Sequence, residues 1–185
     1  MTEELRKARD LILLDAVDAF PREQLRQTVW RVVREGRDPL VGAPSLSRWC
    51  NGTFDVLYTA LERDGAIAET YARLSAQPVF PSKLKWFVHK ITVECHRLFS
   101  ADFQALARLG VDISSYRARE YKRTQEVADV AFFLDFDGLL VPSARWTCAN
   151  LVLFTDRIAP AELHLDASER KPVDWAAWAA KTNRS

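Results

Sequence analysis

Apolar and polar positions follow two rhythms along this chain, and the switches between them predict its elements. From Thr2 to Asp18 the apolar Leu5, Ala8, Ile12 and Ala16 fall near one face at helical spacing, with Thr2 placed as an N-cap and acids in the first turn. Beyond Pro21, Gln27 to Val33 is rich in β-branched and aromatic residues and predicts a strand closed by Gly36 and Pro39. A loop through Gly42 and Pro44 delivers Arg48; Asp55 to Ala60 then reads as a strand, and Leu61 to Ser75 as a helix with Ile67, Tyr71 and Leu74 along one face. After Pro78 and Pro81, Lys85 to Val93 has a strand's composition, in a pattern that suggests burial on both faces. Ala101 to Leu109 predicts a short helix ended by Gly110, and Ser115 to Phe133 a longer one. Gly138 to Val141 and Asn150 to Phe154 are short apolar strands flanking the loop from Pro142 to Trp146. Glu162 to Asp166 alternates like an edge strand, and Pro172 to Lys181 predicts a helix whose Trp175 and Trp178 share a face. The fold class that follows is α+β: a single compact domain with a mixed or antiparallel sheet and flanking helices.

Composition narrows the function classes. With 185 residues, 48% hydrophobic and 28% charged, the chain can fold as one domain that buries a full core. Lys plus Arg number 26 against 25 Asp plus Glu, so the basic excess of a phosphate-backbone binder is missing and direct nucleic-acid binding is not expected. The apolar run Leu11 to Leu14 stops at Asp15, far short of a membrane span or signal core, which points to a cytoplasmic protein. Cys50, Cys95 and Cys148 are odd in number and widely spaced, as for reduced thiols, and His89, His96 and His164 are scattered, so no metal is expected. Phosphate-loop, dinucleotide-fingerprint, zinc-helix and nucleophile-elbow motifs are all absent.

Candidate chemistry gathers in one stretch and one later loop. Arg48 precedes Gly52 in a loop where a guanidinium fork could clasp phosphate oxygens, or simply brace a turn. Arg31 sits inside an apolar strand, where it needs a partner or a ligand unless it alternates outward from Trp30 and Val32. Tyr58 is either a core aromatic or a stacking platform for a planar base. Glu69 is either one half of an ion pair with Arg73 on a solvated helix face or, with Arg48 and Tyr58, part of a group that could grip an anionic, aromatic-bearing ligand such as a dinucleotide. Ser143, after Pro142, has the setting of a turn residue.

The order of these pieces resembles the RES-domain family, bacterial toxins of toxin–antitoxin pairs named for an arginine, a glutamate and a serine. The resemblance rests on Trp30-Arg31, Asp38-Pro39-Leu40, Arg48-Trp49 with Asn51 and Gly52, Leu57-Tyr58-Thr59-Ala60 and Ala66-Ile67-Ala68-Glu69. Late in the chain it adds Gly138 to Arg145 and Asn150 to Phe154. It spans 28–166, leaving an N-terminal helix within 1–20 and a helix or tail at 172–185, all one domain. Two departures stand out: Leu46-Ser47 replaces a glycine pair common before the arginine, and Cys50 displaces Asn51 from its usual place after the tryptophan.

The resemblance implies an ADP-ribosyltransferase-like fold and NAD+ as substrate. It assigns Glu69 to the nicotinamide ribose and its developing cation, Arg48 and Arg31 to the pyrophosphate, Tyr58 to stacking on nicotinamide, and Ser143 to orienting a ribose or Glu69, with Tyr71 as a further lining candidate. It also implies a cognate antitoxin with a helix-turn-helix DNA-binding part, and leaves room for a homodimer within the complex. The acceptor of ADP-ribose stays open: a host protein is favoured because of the departures around Arg48, with water or phosphate as alternatives. An interaction module with no catalysis is the reading from a different class.

Overall fold

A computed structural model describes residues 9–183 of the chain. Its elements run α1 (Leu11–Asp18), β1 (Glu23–Arg34), β2 (Leu46–Ser47), β3 (Cys50–Asn51), β4 (Val56–Ala60), α2 (Arg63–Ser75), β5 (Trp86–Ser100), α3 (Phe103–Arg108), α4 (Lys122–Phe133), β6 (Gly138–Pro142), β7 (Ala149–Phe154), β8 (Leu163–Ser168) and α5 (Trp175–Thr182). No helix among the described residues is long and apolar enough to cross a membrane.

The sheet is organised by its two longest strands. β1 and β5 form an antiparallel ribbon from Arg34 opposite Trp86 to Glu23 opposite Leu98. On its other edge β1 touches β4 at Trp30 and Ala60; β4 pairs with β7, β7 with β6, and β6 returns to β5 as the one parallel neighbour. Five strands thereby close into a ring, with β8 added along β5, so the sheet is mixed as expected. Val29, Leu57, Ile91, Val93, Leu98, Leu151 and Leu153 fill one core, drawn from four of the ring's strands. Each such side chain removed from water contributes about 1.5–3 kcal/mol. A second core packs α1, α3 and α4 against Phe99, Leu139, Val152 and Phe154; a third packs α2 and α5 against Val32, Trp86 and Val88. The result is a single compact α+β domain.

Several boundaries differ from the sequence expectation for identifiable reasons. Asp10, in extended backbone, accepts hydrogen bonds from the Ile12 and Leu13 amides and starts α1, so no unbroken helix runs through it from Thr2; the Thr2 cap lies outside the described residues. The buried stripe is Leu13 and Val17, whereas Ile12 is 83% exposed. The long helix begins at Lys122 rather than Ser115, because Asp112 ties Ser114 and Ser115 into turns and Tyr116 is buried among them. β5 continues to Ser100 past the polar Glu94, His96 and Arg97, since Cys95, Leu98 and Phe99 are buried between β1 and β6. Its faces alternate rather than both being buried, and the phase slips between Lys90 and Ile91, where the β8 pairing carries a bulge. The supposed loop before Asp55 contains the β2–β3 ribbon, with Leu46 opposite Asn51 and Gly52 at φ +87° just beyond it.

Candidate active site

A cleft of about 560 Å³ opens between the β2–β3 ribbon, β4, α2 and the segment before α4. Glu69 projects into it from α2, half-buried, and its environment is asymmetric. One oxygen, Oε1, accepts hydrogen bonds from Ser143 Oγ at 2.6 Å and Asn150 Nδ2 at 2.9 Å. Ser143 itself accepts from the Arg145 and Trp146 amides at 3.0 and 3.1 Å. Two amide donors on Oγ leave its hydroxyl hydrogen for the carboxylate, so the relay runs in one direction. Asn150 stands on β7, hydrogen-bonded into the sheet between β4 and β6, and is 6% exposed. Its Nδ2 must face Glu69 because a carboxylate offers only acceptors; its Oδ1 has no partner. The pair between Glu69 and Arg73 that helical spacing allowed is not among the ion pairs of the described residues. Arg73 lines the cleft beside Glu69 instead.

Tyr58 is placed by β4 against the back of the ribbon. Its hydroxyl accepts from the Trp49 amide at 2.9 Å and bonds Ser47 Oγ at 2.8 Å, gripping the residues on either side of Arg48. Burial pushes this phenol well above its ordinary range, so it stays neutral. Gln125 of α4 holds the same ribbon by donating to the Ser47 and Cys50 carbonyls. Arg48 then projects onto a cradle: its guanidinium lies 4.6 Å from the Tyr116 ring centroid and 4.8 Å from that of Tyr121, and donates to the Ala118 carbonyl at 3.1 Å. Tyr116 ties this cradle to the Ser143 turn by donating to the Pro142 carbonyl at 2.7 Å. Asn51, displaced by the buried Cys50, closes the turn by accepting from Thr53.

The electrostatics of the cleft are one-sided. Arg31, Arg37, Arg48, Arg73, Arg119 and Arg145 line it, and Glu69 is the only carboxylate to do so among the described residues. None of the six is in an ion pair there. Arg31 donates to the Pro39 and Val41 carbonyls and faces the cleft rather than alternating outward to solvent. Burial, then the nearby Arg73 charge, lowers its pKa to about 10. Guanidinium groups without an ion-pair partner, two of them (Arg31 and Arg73) desolvated by burial, around one carboxylate fit an anionic ligand with a cation-forming centre.

Of the sequence candidates, Glu69, Arg48, Arg31 and Tyr58 line the cleft, and Ser143 sits behind Glu69. Tyr71 does not line it: its ring packs against Phe80 and Trp175 on another side of α2, at centroid separations of 5.9 and 6.0 Å. Asn150, Arg73, Tyr116 and Tyr121 had no site role in the sequence reading. Arg73 was within reach of it, since a residue four after Glu69 shares its helix face.

The chain has similar counterparts among known proteins. A family model described as RES domain matches residues 28–176. No relative among the curated proteins matches the sequence. Among solved structures, a chain of the M. tuberculosis MbcT–MbcA toxin–antitoxin complex aligns with a TM-score of 0.79 and 25% identity, covering 94% of this chain and 98% of that one.

Proposed function

Because the chain belongs to the RES-domain family, we propose that it is the toxin of a toxin–antitoxin pair, cleaving the nicotinamide–ribose bond of NAD+ and passing ADP-ribose to a host protein. The observation that carries this is a carboxylate fixed through one oxygen by Ser143 and Asn150, in a cleft otherwise charged only by arginines. When the glycosidic bond breaks, its electron pair returns to the pyridinium nitrogen and nicotinamide leaves neutral, so no strong acid is needed. The sugar left behind is an oxocarbenium-like cation, and the free oxygen of Glu69 is placed to stabilise it. At about 4 Å and an effective dielectric of about 20 that attraction is worth about 4 kcal/mol, or about a thousandfold in rate. The acceptor's lone pair closes on the anomeric carbon and its proton passes to solvent. Arg48 and Arg31 take the pyrophosphate, with Arg73 beside them, and the Tyr58 ring gives nicotinamide an aromatic wall.

Transfer to a protein is favoured over water or phosphate by the cleft lining, where Leu46 is 84% exposed, an apolar edge that suits a polypeptide. The cytoplasm, where NAD+ and its protein targets reside, is the expected compartment, and a cognate antitoxin with a helix-turn-helix part is the expected partner. That a similar solved structure is a toxin–antitoxin complex supports an antitoxin partner. Purified wild type should release nicotinamide from NAD+, and folded Glu69→Gln should do so about a thousandfold more slowly. Release by the variant at the wild-type rate refutes the assignment. Labelled NAD+ added to lysate separates acceptors: a labelled protein band supports transfer, and NAD+ loss with no band points to water or phosphate.

A further inference from the structure

Among the described residues, Asn150 is the one polar side chain of the cleft that is at once buried, committed to Glu69 and incompletely satisfied. It belongs to no loop: β7 holds its backbone between β4, opposite Ala60, and β6, opposite Val141. Its amide reaches the same carboxylate oxygen that Ser143 reaches from the other chain segment. Oε1 is therefore filled by two donors, one carried by a turn and one by the sheet, and two directions of restraint on one atom fix the carboxylate plane. The other oxygen is left to the ligand. The unpaired Oδ1 is a cost a buried amide ordinarily avoids, and such costs concentrate where a side chain is held for function.

We infer that Asn150 is a positioning residue for Glu69, holding Oε1 so that the free oxygen of the carboxylate faces the anomeric carbon of the substrate. The inference rests on the NAD+ reading and goes beyond it, because it gives a task to a residue outside the arginine, glutamate and serine set. It also explains why the carboxylate does not turn to Arg73 on its own helix, although the spacing permits that pair.

A pH profile separates positioning from packing. Around Glu69 stand Tyr58 from β4, Tyr116 from the segment before α4, Cys148 and Arg145 from the loop after β6, and Arg73 on α2. Burial pushes both phenols above their ordinary range and the Cys148 thiol up to about 11, so these three groups do not titrate between pH 5 and 8. Asn150→Asp keeps the side-chain shape and sets two carboxylates in hydrogen-bond contact. Like charges that close share one proton, so the variant gains an ionisation that wild type lacks.

Nicotinamide release from NAD+ is measured between pH 5 and 9 for wild type, Asn150→Ala and Asn150→Asp, with thermal unfolding of each. Asn150→Ala should lose about tenfold or more in kcat with KM within about threefold, the pattern of an interaction realised in the transition state. In Asn150→Asp the rate should climb with pH along a new limb, approaching about tenfold per unit at its acid end. A pH profile for Asn150→Asp that superimposes on wild type, or a folded Asn150→Ala with wild-type kcat, overturns the inference while leaving the NAD+ reading intact. Loss of the folded state in both variants also overturns it, by making Asn150 a structural residue. A wild type that releases no nicotinamide refutes the NAD+ reading itself, and the positioning role with it.

Discussion

Removing the Ser143 hydroxyl tests the joint between the late loop and the α2 carboxylate. In Ser143→Ala, Glu69 loses a 2.6 Å hydrogen bond, and the Arg145 and Trp146 amides lose their acceptor in a place only 6% exposed. A hydrogen bond to a charged group is worth about 1.5–3 kcal/mol, and each buried amide left unpaired costs about 1–3 kcal/mol. Water entering the vacated space recovers part of this, which leaves a net loss of about 3 kcal/mol. For a chain of this size that lowers Tm by about 6–12 °C. The rate should fall as well, by about tenfold or more, because the free oxygen of Glu69 is no longer aimed. Differential scanning fluorimetry and nicotinamide release read the two effects on one preparation. The double variant with Glu69→Gln separates them further: with no charge at 69, Ser143→Ala should cost about 1–2 kcal/mol less than it does in wild type. A variant whose Tm stays within about 2 °C of wild type and whose rate stays within about twofold would refute the relay.

Four further outcomes follow from the geometry. Tyr58→Phe keeps the ring but frees Ser47 and the Trp49 amide, so KM for NAD+ should rise about tenfold through a loosened Arg48 while the ring still walls the cleft; an unchanged KM counts against the clamp. Tyr71→Phe should leave nicotinamide release within about twofold of wild type, because the Tyr71 ring packs against Phe80 and Trp175 rather than in the cleft; a large kcat loss returns Tyr71 to the site. With Arg31 lowered to about 10, its cationic form dominates below that pH, so steady-state kinetics should show KM for NAD+ rising above pH 10. The unfolded chain binds the extra proton in that window, so this group makes the fold more stable as pH rises through it, and urea titrations at pH 9.5 and 11 read that sign. Gly65→Ala places a Cβ 2.5 Å from Cys148 Sγ, so urea unfolding should show a loss of about 1–3 kcal/mol, and an unchanged midpoint would mean that the thiol moves aside freely.

How much of this was readable from the chain depends on the distance over which each cause acts. The apolar runs of β1, β4, β6 and β7 announce themselves, since each is short and its burial follows from its own composition. β5 was cut short because Glu94, His96 and Arg97 interrupt a pattern whose continuation depends on β1 and β6, partners far away in sequence. The site divides in the same way. Glu69 and Arg73 share a face by local spacing, and that same spacing puts Tyr71, two residues from Glu69, on the other side of α2. The hydroxyl of Tyr58 could not be read, because its partners Ser47 and Trp49 come to it only when the β2–β3 ribbon closes over β4. Ser143 and Asn150 face Glu69 across more than seventy residues of sequence, brought there by a β6–β7 hairpin whose own pattern says nothing of what its ends will meet. The stretch from Arg48 to Glu69 is thus half a site by itself. It supplies the guanidinium and the carboxylate, while the late hairpin decides which oxygen of that carboxylate is free to act.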